Sequence, residues 1–415
     1  MKKHYQILIL GGGTAGIMVA AQLMRKDSAL KIGLLEPADV HYYQPAWTLV
    51  GAGTYSFRKT ARPMKEVIPK GVDWIQEAAA TLQPKKNSVI GSTGQIFTYD
   101  FLVVAPGLVY DLDLVPGLGE ALDQRVVCSN YTNPEHTWEV LRNFKGGIAL
   151  FTQPNTPIKC GGAPQKIMYL AEQYFRKHKV RDHTTVVFAT PGTTIFGVPE
   201  IRKTLMKVID RKDINLRFGY QLVKIDAEKQ IAWYRLASHE SEYNHKQIPL
   251  VKEGDLLGIP YDMLHTAPPS VAPAFVGESV LANPSGWMEV DKHSLQHVEF
   301  QNVFGLGDVA GLPTAKTGAA IRKQVPIVVD NLLKLLREHH LGTKSYNGYS
   351  SCPLVTDYGK MVLAEFDYDN NFVPDPKLKN MLISDSSKEH WRLWILKKYG
   401  LPYLYWNKML KGKEV

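Results

Sequence analysis

The tightest constraint in this chain is a glycine spacing near its start. Tyr5–Leu10 (YQILIL) is a short apolar run of β-formers, and Gly11–Gly16 (GGGTAG) follows at once. A helical pattern then runs through Ile17, Ala20, Ala21 and Leu23, and a second apolar run, Ile32–Leu35, ends at Glu36. Strand, tight turn, helix and strand in this order open a doubly wound parallel sheet. Gly11, Gly13 and Gly16 satisfy G-x-G-x-x-G. In that pattern the glycines permit the tight turn, the approach of backbone to a pyrophosphate, and close helix–strand packing. The helix N-terminus then offers free N–H groups and partial positive charge to the phosphates. Glu36 follows Gly16 by about 20 residues, where a ribose-binding carboxylate belongs. A dinucleotide site is the expectation.

With 415 residues the chain is too long for one hydrophobic core. Phe101–Ala105 reads as a further buried strand. A second α/β unit follows, with strands at Gly147–Thr152 and Thr185–Ala189 and helices at Pro164–Lys179 and Glu200–Lys212. Leu236–Gly258 is polar and reads as an excursion between strands. Asn302–Leu306 is a strand ending in Gly307–Asp308, and a helix starts near Gly318. The expected fold class is therefore α/β, with two Rossmann-like dinucleotide-binding domains and a C-terminal membrane-associating segment. The first domain is discontinuous, 1–115 plus 265–335. The second spans 116–264, and a C-terminal region runs over 336–415.

Three cysteines are too few for a disulfide scaffold, so their thiols, where they matter, are expected to be chemical. A thiol at Cys160, beside Lys159 and Lys166 and just ahead of a helix, should lean toward thiolate. Cys352 is read as lying at the mouth of a strand, and Cys128 as mainly structural. The excess of 49 Lys+Arg over 40 Asp+Glu favours an anionic partner, nucleic acid or a membrane surface. No RNA-binding motif accompanies that charge, so no nucleic-acid partner is expected. No signal peptide is visible and no apolar run of about 18 residues occurs, which makes any membrane contact peripheral. No metal site is expected.

Asn302–Asp308 (NVFGLGD) resembles the late strand of the flavin disulfide-reductase superfamily, whose Gly-Asp carboxylate bonds the ribityl chain of FAD. Phe101–Gly107 (FLVVAPG) resembles the middle motif of the same superfamily, with Ala-Pro-Gly in place of the commoner Ala-Thr-Gly. Members that oxidise NADH or NADPH carry a second glycine cradle after the strand corresponding to Gly147–Thr152. Here Gln153–Gln165 (QPNTPIKCGGAPQ) stands instead, so a nicotinamide donor is disfavoured.

His41–Gly53 (HYYQPAWTLVGAG), Pro154–Leu170, Gly305–Thr317 (GLGDVAGLPTAKT), Ser351–Thr356 (SCPLVT) and Ala364–Tyr368 (AEFDY) look like sulfide:quinone oxidoreductases, closest to the branch with the mitochondrial enzyme. The resemblance implies FAD as cofactor, with contacts at Thr14, Ala15, Glu36, Gln44, Ala79 and Asp308, and with Lys316 as a cation near the flavin's pyrimidine edge. It implies a redox pair, Cys160 and Cys352, bridged by a disulfide or trisulfide. Sulfide opens the bridge, Cys352 carries the persulfide and Cys160 is the flavin-attacking thiolate. The implied partners are sulfide, a membrane quinone, and a small sulfur acceptor such as sulfite, cyanide or a low-molecular-weight thiol. A homo-oligomer is compatible with all of this. Because a quinone resides in the bilayer, Trp391, Trp394, Tyr399, Tyr403, Tyr405 and Trp406, set among lysines, are expected to meet the cytoplasmic side of the cell membrane. The competing reading is a type II NADH:quinone oxidoreductase, which shares the fold and the cofactor.

Overall fold

The computed structural model describes residues 3–244 and 247–414. Its first sheet is built from the apolar runs at the start of the chain. The strand Lys3–Leu10 pairs in parallel with Ile32–Leu35 on one side and Ile96–Val104 on the other. Asp73–Ile75 extends the Ile32 side. The strand Ile96–Val104 is shared along its length. Its first half pairs antiparallel with Ser88–Gly91, and its second half pairs parallel with Val303–Gly305. Gly305 therefore stands beside Val104, and the Gly-Asp turn is delivered to the carboxyl ends of the parallel strands, where open α/β sheets bind ligands. Helices Thr14–Lys26 and Gly318–Glu338 cover this sheet with the apolar faces of Ile17, Val19, Leu23, Val325, Val328 and Leu332.

The second sheet has eight strands, and its parallel part comprises Val127–Cys128, Met263–Thr266, Gly147–Thr152, Thr184–Thr190 and Asn215–Asp226. The polar stretch expected as an excursion between strands is itself largely strand. Ile231–Tyr243, Val251–Glu253 and Leu256–Pro260 extend the sheet antiparallel from Asn215–Asp226. From Arg235 to Tyr243 its side chains are half-buried or exposed. An edge ribbon wet on both faces leaves no apolar alternation to read, so the strand signal was invisible.

Ser350–Asp357 and Lys360–Phe366 form a separate antiparallel hairpin with Cys352 opposite Ala364. The hairpin packs on helix Ala163–Lys177 and shares its core with Ile167, Leu170 and Ala171. At its tip the Lys212 ammonium lies 2.9 Å from Glu172 and 2.5 Å from Asp357, and all three are largely buried. Arg211 adds ion pairs to Asp357 and Glu389. A hydrogen-bonded charge cluster of this kind is costly to break once one partner is lost, and it fixes the hairpin's position along the helix.

The chain ends in a short helix, Trp391–Ile395, a π turn at Leu396–Gly400, a second helix at Leu401–Asn407 and a 3-10 turn at Met409–Lys411. Leu393 and Trp394 enter the hairpin core, while Tyr405, Met409 and Leu410 enter the core of the first sheet. Trp394 and Tyr405 therefore do not belong to an exposed aromatic face. Among the described residues no helix is long and apolar enough to cross a membrane.

Candidate active site

The glycine cradle has the geometry its spacing demands. Gly11 has φ +99°, and a side chain there would collide with the Ala105 carbonyl. A Cβ on Gly16 would run into the Gly11 carbonyl, so this glycine lets helix and turn close together. A Cβ on Gly13 would meet nothing within 4 Å and would instead fill the space in front of the helix N-terminus. Glu36 accepts hydrogen bonds from the backbone N–H of Gly12 at 2.7 Å and of Ala38 at 2.8 Å, and it lines the same hollow.

That hollow is a cavity of about 750 Å³, a size suited to a large cofactor. Its wall includes Gly13, Thr14, Ala15, Glu36, Gln44, Gly307, Asp308, Lys316 and Cys160. Gly307 has φ +76° and donates its N–H to Gln324, which holds the Asp308 turn. Ala79 is not on the wall; it begins strand Ala79–Gln83 and packs against the apolar cluster beside the sheet. Lys316 borders the cavity, but its ammonium is engaged by the Asp308 and Ala310 carbonyls and lies 3.9 Å from the centre of the Trp287 ring. Burial draws its pKa down to about 8.

At one end of the cavity the two distant cysteines meet, with 3.2 Å between their sulfurs. Each is carried by a separate device. Cys160 sits in the loop after strand Gly147–Thr152, at φ +53°, a left-handed conformation unusual for a residue with a side chain. Its N–H bonds the Lys316 carbonyl at 2.9 Å, so the loop crosses from the second sheet to the segment that leads into helix Gly318–Glu338. Cys352 arrives on the hairpin. It reaches the pair because Gly162 has no side chain: a Cβ there would lie 2.6 Å from the Cys352 sulfur. Cys160 lines the cavity, and Cys352 lies buried behind it.

The charge around the pair is unequal. The Lys166 ammonium, almost fully buried, lies 2.9 Å from the Cys160 sulfur. The Cys352 hydrogen bond and the Lys166 charge together hold the Cys160 thiol well below the usual thiol range. The same contact and burial push Cys352 well above it. The pair thus favours the negative charge on Cys160 and the proton on Cys352. A second buried lysine, Lys397 of the C-terminal π turn, donates to the Pro45 carbonyl at 2.7 Å. Burial and the Lys166 charge bring its pKa down to about 7. Of the two lysines expected beside the thiol, only Lys166 turns to it; Lys159 points instead to Gln44 and toward Asp308. Cys128 is fully buried in the core.

Sequence reading missed a contact that closes the cradle from the C-terminal side. His41 Nδ1 lies 3.1 Å from the Gly12 carbonyl, and its Nε2 lies 2.6 Å from the Tyr405 hydroxyl. A carbonyl can only accept, so Nδ1 donates, Nε2 accepts from Tyr405, and Thr14 donates to Tyr405 at 2.8 Å. Burial keeps His41 neutral, with its pKa near 4. His41 stands in a motif segment, but its partner lies 364 residues away, and no local pattern marks the two as a pair.

A glycine-cradled cofactor cavity that ends on two facing cysteines defines the class: an oxidoreductase with the flavin disulfide-reductase fold. The family described as pyridine nucleotide-disulphide oxidoreductase matches residues 5–153. The chain is 40% identical over 413 residues to the mitochondrial sulfide:quinone oxidoreductase of Mus musculus, covering 99% of this chain and 87% of that protein. It is also 40% identical to the Dictyostelium discoideum protein of the same name, over 100% of this chain and 87% of that one. The crystal structure of the Aquifex aeolicus sulfide:quinone oxidoreductase superposes with a TM-score of 0.78 at 19% identity, covering 99% of this chain and 92% of that one. The chain belongs to the sulfide:quinone oxidoreductases.

Proposed function

We propose that this enzyme oxidises hydrogen sulfide to sulfane sulfur with FAD, passing the electrons to a membrane quinone, and that Cys160 and Cys352 are its redox pair. The observation that carries the reading is the meeting of the two sulfurs at the end of the cradle's cavity. A flavin bound there supplies a two-electron acceptor that quinone reoxidises. Gly11, Gly13, Thr14, Ala15 and Gly16 would hold the pyrophosphate, Glu36 the ribose, and Asp308 the ribityl chain, with Gln44 and Lys316 along the wall. The proposed division of the chain is 1–115 with 265–335, and 116–264, with 336–415 bringing Cys352 and the C-terminal helices; it follows the two sheets except that strand Met263–Thr266 of the second sheet straddles the bound at 264.

In the oxidised pair a bridge joins the sulfurs. Hydrosulfide attacks on the Cys352 side, so that Cys352 gains a sulfur as a persulfide and Cys160 leaves as a thiolate, the better leaving group because of its lowered pKa. Lys166 holds that thiolate. The sulfane sulfur passes to a nucleophilic acceptor such as sulfite, cyanide or a small thiol, leaving a Cys352 thiolate, and re-closure of the bridge would release two electrons for the flavin to take up.

Trp391, Ile395, Tyr399 and Tyr403 are exposed at four-residue steps, flanked by Arg392 and Lys398 and neighboured by exposed Leu382. This apolar face with cationic flanks suits the headgroup boundary of a bilayer, so the enzyme is proposed to be peripheral, on the cytoplasmic side. Its helices also wall the cofactor cavity through Leu401 and Leu404, which offers a quinone a short path inward.

Anaerobic mixing with sulfide in excess, so that a second hydrosulfide takes the sulfane sulfur, should bleach the flavin, and added short-chain quinone should restore its colour. Cys160→Ser and Cys352→Ser should each keep the flavin and lose this turnover. Bleaching by NADH and not by sulfide would make the protein a type II NADH:quinone oxidoreductase instead. The loop Gln153–Gly162 speaks against that outcome, because Cys160 occupies the place of a second glycine cradle.

A further inference from the structure

The formal charge of this chain is unevenly placed. Over residues 57–70, Arg58, Lys59, Arg62, Lys65 and Lys70 stand against Glu66 alone, a net +4. Over residues 391–414, Arg392, Lys397, Lys398, Lys408, Lys411 and Lys413 stand against Glu414, a net +5. These two stretches hold the whole of the chain's +9, and the charges elsewhere balance. Far apart in the sequence, they meet in the fold. The Arg62 guanidinium lies 5.0 Å from the centre of the Trp406 ring, and the Lys411 ammonium reaches the Glu66 carbonyl at 3.2 Å. Beneath them Met64 and Val67 share a core with Met409 and Leu410.

Like charges gathered in this way repel, and the fold gives them little relief. Lys397 alone among these cations is buried, and none of them forms an ion pair among the described residues. Arg58, Lys59, Lys65 and Lys70 are exposed and make no side-chain hydrogen bond there either. A cationic face without internal counter-charge draws its anions from outside. Its setting selects which anions. The apolar residues Trp391, Ile395, Tyr399 and Tyr403 are exposed on the same C-terminal helices. The ribbon that carries Arg62 adds Tyr42, exposed and stacked on Phe57 with ring centres 5.6 Å apart. Met64 and Met409, one from each stretch, border the cofactor cavity. Aromatics interleaved with unpaired cations match the headgroup boundary of an anionic bilayer.

We propose that residues 57–70 form a second membrane contact, an electrostatic anchor for anionic phospholipid headgroups beside the apolar anchor of the C-terminal helices. One patch of contact leaves a peripheral protein free to rock on the bilayer. Two, from distant parts of the chain, fix its tilt and with it the direction in which the cavity faces the lipid. The inference rests on the proposed peripheral attachment and extends it to a segment outside the C-terminal region.

Arg58→Gln, Lys59→Gln, Lys65→Gln and Lys70→Gln, made together, test this, since these four side chains support nothing within the fold. The assay is co-sedimentation of the holoenzyme with vesicles of phosphatidylcholine, with and without phosphatidylglycerol. Each cation at an anionic surface is worth roughly fivefold in binding, so the variant should lose about a hundredfold or more on the anionic vesicles. Binding to the neutral vesicles and flavin content should match wild type, and the melting temperature should hold or rise. High salt should remove the wild-type preference for anionic vesicles. Equal binding of variant and wild type to anionic vesicles overturns the proposal. If replacing the exposed C-terminal aromatics still abolishes binding in that case, the peripheral attachment stands without it. Wild-type enzyme that binds neither kind of vesicle ends both. Loss of affinity for RNA with vesicle binding intact would give the face to nucleic acid, against the proposal.

Discussion

Lys166→Met removes the charge beside Cys160 while leaving an apolar stem of similar length in its place. At the observed 2.9 Å, an ammonium and a thiolate in an effective dielectric of ~20 attract by about 6 kcal/mol, which sets a ceiling of about four pH units on the thiol's rise. A charge-assisted hydrogen bond alone, at roughly 1.5–3 kcal/mol, sets a floor of one to two units. The single variant should fall near the floor for a structural reason. Part of the depression of Lys397 comes from the Lys166 charge, so without Lys166 the Lys397 ammonium regains its proton and replaces part of the lost field. The double variant, Lys166→Met with Lys397→Met, should therefore shift the thiol by more than the two single shifts together. Cysteine alkylation followed by peptide mass spectrometry, across pH, reads the midpoint at Cys160 directly. A Lys166→Met midpoint equal to wild type, or strictly additive shifts in the double variant, would refute this electrostatic account.

Gly13→Val should fold with little change in melting temperature yet purify without flavin, because its side chain projects into the open space before the helix N-terminus. The ratio of flavin to protein absorbance checks it. Replacing Trp391, Ile395, Tyr399 and Tyr403 with serine should weaken binding to anionic lipid vesicles at least tenfold with flavin content unchanged; equal binding would leave these residues no membrane role. The folded-state pKa of Lys397, about 7 against an ordinary 10.5, means that the unfolded chain binds more protons in between. Stability should therefore rise with pH across that window, by about 2 kcal/mol from pH 7 to 9 relative to Lys397→Met. Urea unfolding at the two pH values measures this, and an identical pH response in wild type and variant contradicts it.

The parts of this molecule legible in the sequence are those in which local chemistry dictates local shape. Gly11, Gly13 and Gly16 announce their turn because each answers a steric demand within a few residues. The buried parallel strands read as continuous apolar runs, and Gly147–Thr152 falls where its run begins and ends. The antiparallel ribbon Ile231–Tyr243 escaped because its outer half is wet on both faces. Long-range meetings were not legible in spacing: Cys160 and Cys352 came together through a family likeness, not through any pattern across their separation of 192 positions. Gly162, Lys397 and the His41–Tyr405 bond had no such guide. Each is defined by a neighbour from a distant element, so its meaning appears only once the hairpin and the C-terminal helices are packed. Tyr405 illustrates the loss. Its composition and setting suggest an interfacial aromatic, yet it is buried and bonded to the phosphate turn.

The claim on which the rest depends is that sulfide opens a bridge between Cys160 and Cys352 and leaves its sulfur on the second. One anaerobic turnover with sulfide and no acceptor, quenched with an alkylating agent and mapped by peptide mass spectrometry, tests it most directly. With one equivalent of sulfide the account predicts one additional sulfur atom on the Cys352 peptide and a plain alkylated thiol at Cys160, with the flavin still oxidised until sulfite is added and the bridge re-closes. Flavin reduction with neither cysteine carrying extra sulfur would contradict it.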